Sequence, residues 1–198
     1  MHISGVVESS TTYSGGNGDN STDEEDTRMT TSVRSDPAEL ILAAVNTCLD
    51  LAATWYAWDG RPRVSEPTED IPGGTVFTPH KAIRRIADHL VDHLAEIEAL
   101  LAGAEPIPDT WHGRTVTLAT EWAPFTEADL NEARNRLGRL GQIYSLRLHS
   151  LDGDTLDAPR GQAWTIRQIV EHVAGVTWYA EQVGRLRAPR AEVQPGLS

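Results

Sequence analysis

The stretch Ile83-Arg84-Arg85-Ile86-Ala87-Asp88-His89-Leu90 aligns without gaps onto Ile166-Arg167-Gln168-Ile169-Val170-Glu171-His172-Val173, and the shared residues are Ile, Arg, Ile and His. Each copy lies inside a longer helical pattern. Around the first, Ile83, Ile86, Leu90, Leu94, Ile97 and Leu101 recur at steps of three and four, opened by Thr78-Pro79 and closed by Gly103. Around the second, Ile166, Ile169, Val173, Val176, Ala180 and Val183 follow the capping pair Thr165 and Gln168, which predicts one helix running to about Leu186.

Each copy is preceded by another amphipathic segment. Asp36 and Pro37 open a first helix with Leu40, Ile41, Ala44, Val45, Cys48, Leu49 and Ala52 on its apolar side, running to about Trp58. Thr126 and Asp129 open a third with Leu130, Ala133, Leu137, Leu140, Tyr144 and Leu148, ending near His149. Ala38, Leu40 and Ala43 fall on Ala128, Leu130 and Ala133, so the chain reads as a duplicated helix pair. Two pairs that each expose one apolar face bury it against each other, and the expected fold is an all-α four-helix bundle with an approximate two-fold axis. Residues 59–77 read as loop, and 104–125 as a crossover with a short extended piece at 115–118.

Residues 1–36, rich in Ser, Thr, Gly and Asn and carrying the run Asp23-Glu24-Glu25-Asp26, are expected to form a disordered acidic tail. The bundle is assigned to 37–188 and a flexible C-terminal tail to 189–198. Among 198 residues, 29 acidic side chains face 17 basic ones, a net charge of -12 that argues against nucleic acid as a partner. No run approaches the roughly 18 consecutive apolar residues of a spanning helix, so no membrane partner is expected. The first residues also lack the cationic and apolar regions of a signal peptide. The single Cys48 excludes an internal disulfide and fits a reducing compartment, the cytoplasm. What remains is a small-molecule substrate, with a homodimer compatible with the pattern.

Of the seven histidines, His89 and His172 occupy equivalent places in the repeat, both on the apolar face. The two-fold brings them together, and His93, four residues after His89, projects from the same face of the same helix. A His-x-x-x-His pair with a third His from a facing helix makes an open three-nitrogen site for a divalent metal, zinc first, with nickel or iron as alternatives. Asp88, Asp92, Glu96 and Glu171 flank it, read first as a solvated acidic face and otherwise as partners that orient the imidazoles. Cys48 reads as a small core residue, and Trp164 as a plug at the end of the bundle, with Trp55, Trp58 and Trp178 packing similarly. No role is assigned to His2, His80, His112 or His149.

The segment from Trp164 to Gly175, followed by Tyr179, resembles a helix signature of the DinB/YfiT-like superfamily, in which a Trp precedes Thr or Ser and a His follows eight residues after the Trp. The resemblance covers about residues 37–186. It implies a four-helix bundle holding a divalent metal on three histidines, with His172 matching the single ligand and His89 with His93 the pair. The order of the two helices is reversed relative to the family, which a duplicated pair makes nearly equivalent in space. The resemblance further implies transfer of a thiol, of the mycothiol or bacillithiol type, to a small electrophile. A metal-dependent hydrolase and a non-catalytic or stress-related binding bundle are the alternatives.

Overall fold

A computed structural model describes residues 35–69, 71–108 and 112–186. The two tails, apart from Ser35 and Asp36, lie outside the described residues. The fold is mostly helical: α1 (Pro37–Ala52), α2 (Pro79–Leu101), α3 (Glu127–His149), α4 (Gly153–Asp157), α5 (Ile166–Ala174) and α6 (Thr177–Val183), with 3-10 turns at Trp55–Ala57, His112–Arg114 and Ala119–Trp122. A two-stranded antiparallel hairpin, β1 (Arg63–Val64) with β2 (Val76–Phe77), stands where the sequence pattern gives only loop.

The helix starts follow their capping residues. The Asp36 side chain accepts from the Ala38 N–H, and Thr78 accepts from Lys81. Thr126 with Asp129, and Thr165 with Gln168, form reciprocal capping boxes. At the end of α2, the N–H groups of Gly103 and Ala104 return to the carbonyls of Leu100 and Ala99, with Gly103 at φ 67°. That left-handed closure favours glycine, which has no side chain to clash.

Helix α1 packs against α3, α5 and α6, and α2 packs against the same three. The core between them holds Ile41, Cys48, Ile86, Leu90, Leu137, Ile169 and Val173. Tyr144, fully buried, donates from α3 to the Leu90 carbonyl in α2 at 2.8 Å. The Trp55 indole donates to the Gly184 carbonyl at 2.9 Å and fastens the end of α1 to the end of α6. By length and composition the segment Pro37–Ala57 is apolar enough to cross a membrane, unlike the expectation from consecutive apolar residues. It is nevertheless amphipathic, with Glu39, Asn46, Thr47 and Asp50 exposed and Ala38, Ile41, Val45 and Cys48 in the core.

Four expectations are corrected. The last helix is not continuous: α5 stops at Ala174 and α6 starts at Thr177. There the N–H groups of Gly175, Val176, Trp178 and Tyr179 bond three residues back instead of four, because Gly175, a weak helix former, settles at ψ 0°. The first helix ends at Ala52, before the 3-10 turn, and residues 115–118 form no strand. Finally, the repeat matches burial in one half only. Ile86, Ala87 and Leu90 are buried as are Ile169, Val170 and Val173, but α1 and α3 bury positions one residue out of the sequence alignment. There Ile41, Ala44 and Cys48 correspond to Leu130, Ala133 and Leu137.

Candidate metal centre

His89 and His93 lie on one face of α2, one turn apart, and α5 brings His172 to them. One ring nitrogen from each lies within 4.8 Å of the other two. The ring centroids are 4.6 Å apart for His89 and His93, 5.0 Å for His89 and His172, and 5.1 Å for His93 and His172. Among the described residues this is the group of His, Cys, Asp and Glu side chains that converges in this way, and it can hold a metal ion. All three candidates from the sequence therefore meet. His89 and His93 are partly buried while His172 is exposed, so the cluster opens to solvent on the α5 side.

The electrostatics suit metal ligation. Burial, followed by the charges of His93, His172, Arg85 and Arg114, pushes the His89 imidazolium down to about 3, which leaves a neutral imidazole with a free nitrogen at neutral pH. The His93 Nδ1 lies 2.7 Å from Oε2 of Glu96. A carboxylate can only accept, so that contact assigns the proton to Nδ1 and leaves Nε2 as the nitrogen with a lone pair for a metal. Glu96 is thus one of the four flanking acids that orients a ring. Asp88 instead places one oxygen 3.3 Å from both Arg84 and Arg85, and Glu171 is exposed.

Trp164 does not plug the end of the bundle. It is 49% exposed, and its ring centroid lies 4.9 Å from that of His172, tilted by 49°. Trp178 is 45% exposed and stands edge-on to Phe77, whereas Trp55 is buried as expected. Cys48 is a core residue: it is fully buried, and burial together with the Glu181 carboxylate pushes its thiol up to about 12. His80 lies elsewhere, 3.4 Å from Asp129 and packed on Phe125, and His149 sits 3.4 Å from Asp36. His2 lies outside the described residues.

Sequence reasoning gave no role to two residues next to the cluster, Arg85 and Tyr179. The Tyr179 ring lies 5.6 Å from His89, and its hydroxyl is 3.5 Å from Arg85, a side chain only 2% exposed. The signal was present, since Arg85, His89 and His93 follow one another at intervals of four along α2. No family model, curated protein or solved structure matches the chain.

Proposed function

We propose that this chain is a DinB-like metal-dependent enzyme, a four-helix bundle built from a duplicated helix pair in which α5 and α6 together supply the fourth helix. His89, His93 and His172 hold the divalent ion. The observation that carries this reading is the convergence of three imidazole nitrogens within 4.8 Å, two from one helix and one from its repeat. The donor set fits: three neutral imidazoles are borderline ligands suited to zinc, with nickel or iron as alternatives, and they leave coordination positions open. Such an ion supplies Lewis acidity, lowering the pKa of a thiol or water placed at the open position.

The chain's own residues prepare the site. Glu96 fixes the tautomer of His93, burial and the neighbouring cations keep His89 unprotonated, and the Trp164 ring packs beside the exposed His172. With Cys48 buried and protonated, the reacting sulfur of a transferase comes from outside the chain. The reading is transfer of a low-molecular-weight thiol, of the mycothiol type, to a small electrophile in the cytoplasm: the S–H bond breaks, sulfur bonds to the electrophilic carbon, and the bond broken at that carbon sends its electron pair to a leaving group that departs with the thiol's proton. Metal-dependent hydrolysis is the second reading, favoured by the solvent access at His172.

Elemental analysis of protein purified without a histidine tag tests the centre. About one divalent ion per chain is expected, lost in His172→Ala because two imidazoles on one helix make a poor site alone. Stoichiometric metal in the triple replacement of His89, His93 and His172 by Ala overturns the assignment.

A further inference from the structure

Beside the histidine cluster lies a cavity of about 500 Å³, a volume within the range of small-molecule sites. Its walls divide by chemistry. One is aromatic: Phe77, Trp178 and Tyr179 stand edge-to-face, with centroids 5.6 Å apart for Phe77 and Trp178 and 5.3 Å for Trp178 and Tyr179. The other carries the guanidiniums of Arg85 and Arg114.

Arg85 is the informative residue. A cation that is 2% exposed requires compensation; the Tyr179 ring, 5.4 Å from Cζ, supplies part of it, while the polar contacts are long: 3.3 Å to Asp88 and 3.5 Å to the Tyr179 hydroxyl. The Asp88 oxygen is shared with Arg84 at the same distance. A guanidinium has five N–H donors, and these two contacts engage a minority of them. Glu66, the acidic side chain on the cavity wall, is exposed.

The backbone that carries the second guanidinium is held in place by its neighbours. Arg84 donates to the carbonyls of Gly113 and Val116 at 3.0 and 3.2 Å and pairs with the buried Glu121, while Lys81 donates to the Thr115 carbonyl at 3.2 Å. These bonds fasten the backbone on both sides of Arg114, which fixes where its side chain leaves the chain at the cavity wall.

Register along α2 ties the cavity to the cluster. Arg85 and His89 are one turn apart on one face, about 6 Å, with His93 the next turn on. We infer that this cavity is a subsite for a small organic anion, a carboxylate carried on a flat apolar body. Arg85 and Arg114 take the carboxylate, the aromatic wall takes the body, and the far end of the molecule reaches the histidines. The inference names the substrate class for the centre proposed above and rests on that reading for its catalytic meaning, although binding does not require the ion.

Metal-stripped full-length protein provides the test, because it removes direct carboxylate ligation of a metal. Titration with 2-naphthoate, 2-naphthamide and acetate is followed by calorimetry. Naphthoate is expected to bind at least about tenfold more tightly than the neutral amide and than acetate, and Arg114→Gln to weaken it about tenfold to a hundredfold. Arg114 is exposed, so its variant folds even where Arg85→Gln does not. Equal affinity for acid and amide, unchanged affinity in Arg114→Gln, or no binding of naphthoate overturns the inference. Metal stoichiometry on the same preparation separates the two readings: naphthoate binding without a metal site leaves the subsite standing alone, and a metal site without naphthoate binding removes only the subsite.

Discussion

The Nδ1 of His93 lies 2.7 Å from Oε2 of Glu96, one turn further along α2. Positions three apart on a helix are neighbours, which brings this flanking acid to a ring on the inner face of α2. Glu96→Gln keeps the shape but weakens the hydrogen bond that fixes the tautomer. Zinc affinity, measured by competition with a chromogenic chelator, is expected to fall about tenfold to a hundredfold with the fold intact. Unchanged affinity would mean that the contact orients nothing.

The metal-free protein should lose stability as it is acidified. The His89 pKa is lowered from 6.5 to about 3, so between those values the unfolded chain binds a proton that the folded one refuses. Stability therefore rises with pH across that window and falls as pH drops from about 6.5 toward 3. In His89→Gln, which cannot titrate, the thermal midpoint should depend less steeply on pH over the same range. An identical slope in both proteins would locate the acid sensitivity elsewhere.

The repeat also reuses an ion pair. Arg84 and Arg167, at equivalent positions, each grip one carboxylate with two nitrogens, Glu121 in the first case and Asp157 in the second. Their surroundings differ. The Glu121 side chain is 6% exposed and that of Asp157 is 41% exposed. Arg84→Met strands a buried carboxylate and is expected to cost about 3 kcal/mol in denaturant unfolding. Arg167→Met should cost at most about 1 kcal/mol. Equal costs would show that burial does not distinguish the pairs.

The hairpin forms one wall of the cavity through Ser65, Thr75 and Phe77, and Gly74 sets its turn. Gly74 has φ 68°, and a Cβ there would meet the Ser65 carbonyl oxygen and carbon and the Val64 side chain. Gly74→Ala is therefore expected to destabilise by about 1–3 kcal/mol and to weaken naphthoate binding while sparing metal content. Metal loss in that variant would imply that the hairpin supports the histidines as well.

The parts of this architecture that a periodic pattern can encode were legible. Capping residues located the starts of α1, α2, α3 and α5, and the repeated Ile-Arg-x-Ile-x-x-His segment placed His89 opposite His172. What lay outside the pattern depends on contacts between distant segments. The hairpin β1–β2 has only two residues per strand, too short for alternation to register. The break after α5 follows from the tightened hydrogen bonds at Gly175, whereas apolar spacing continues smoothly across it. Trp164 looked like a core plug because tryptophan is large and apolar, yet its place just before the α5 cap puts it beside His172.

Cys48 provides the sharpest check on where the reacting sulfur comes from. It is the single cysteine, fully buried, and its thiol is pushed up to about 12, so at neutral pH it carries its proton and is no ligand for a metal. With cobalt in place of zinc, an added low-molecular-weight thiol that occupies the open position produces a sulfur-to-metal charge-transfer absorption. Cys48→Ala should leave that absorption unchanged while costing about 1 kcal/mol of stability for the small void it creates. His93→Ala should weaken or abolish the absorption, because it removes a ligand and the Glu96 contact together. If Cys48→Ala abolishes the band, the sulfur belongs to the protein and the cluster must rearrange to reach it. If mycothiol, bacillithiol and simpler thiols all leave the cobalt spectrum untouched, thiol transfer falls and hydrolysis becomes the better account of a three-imidazole cluster that opens to solvent at His172.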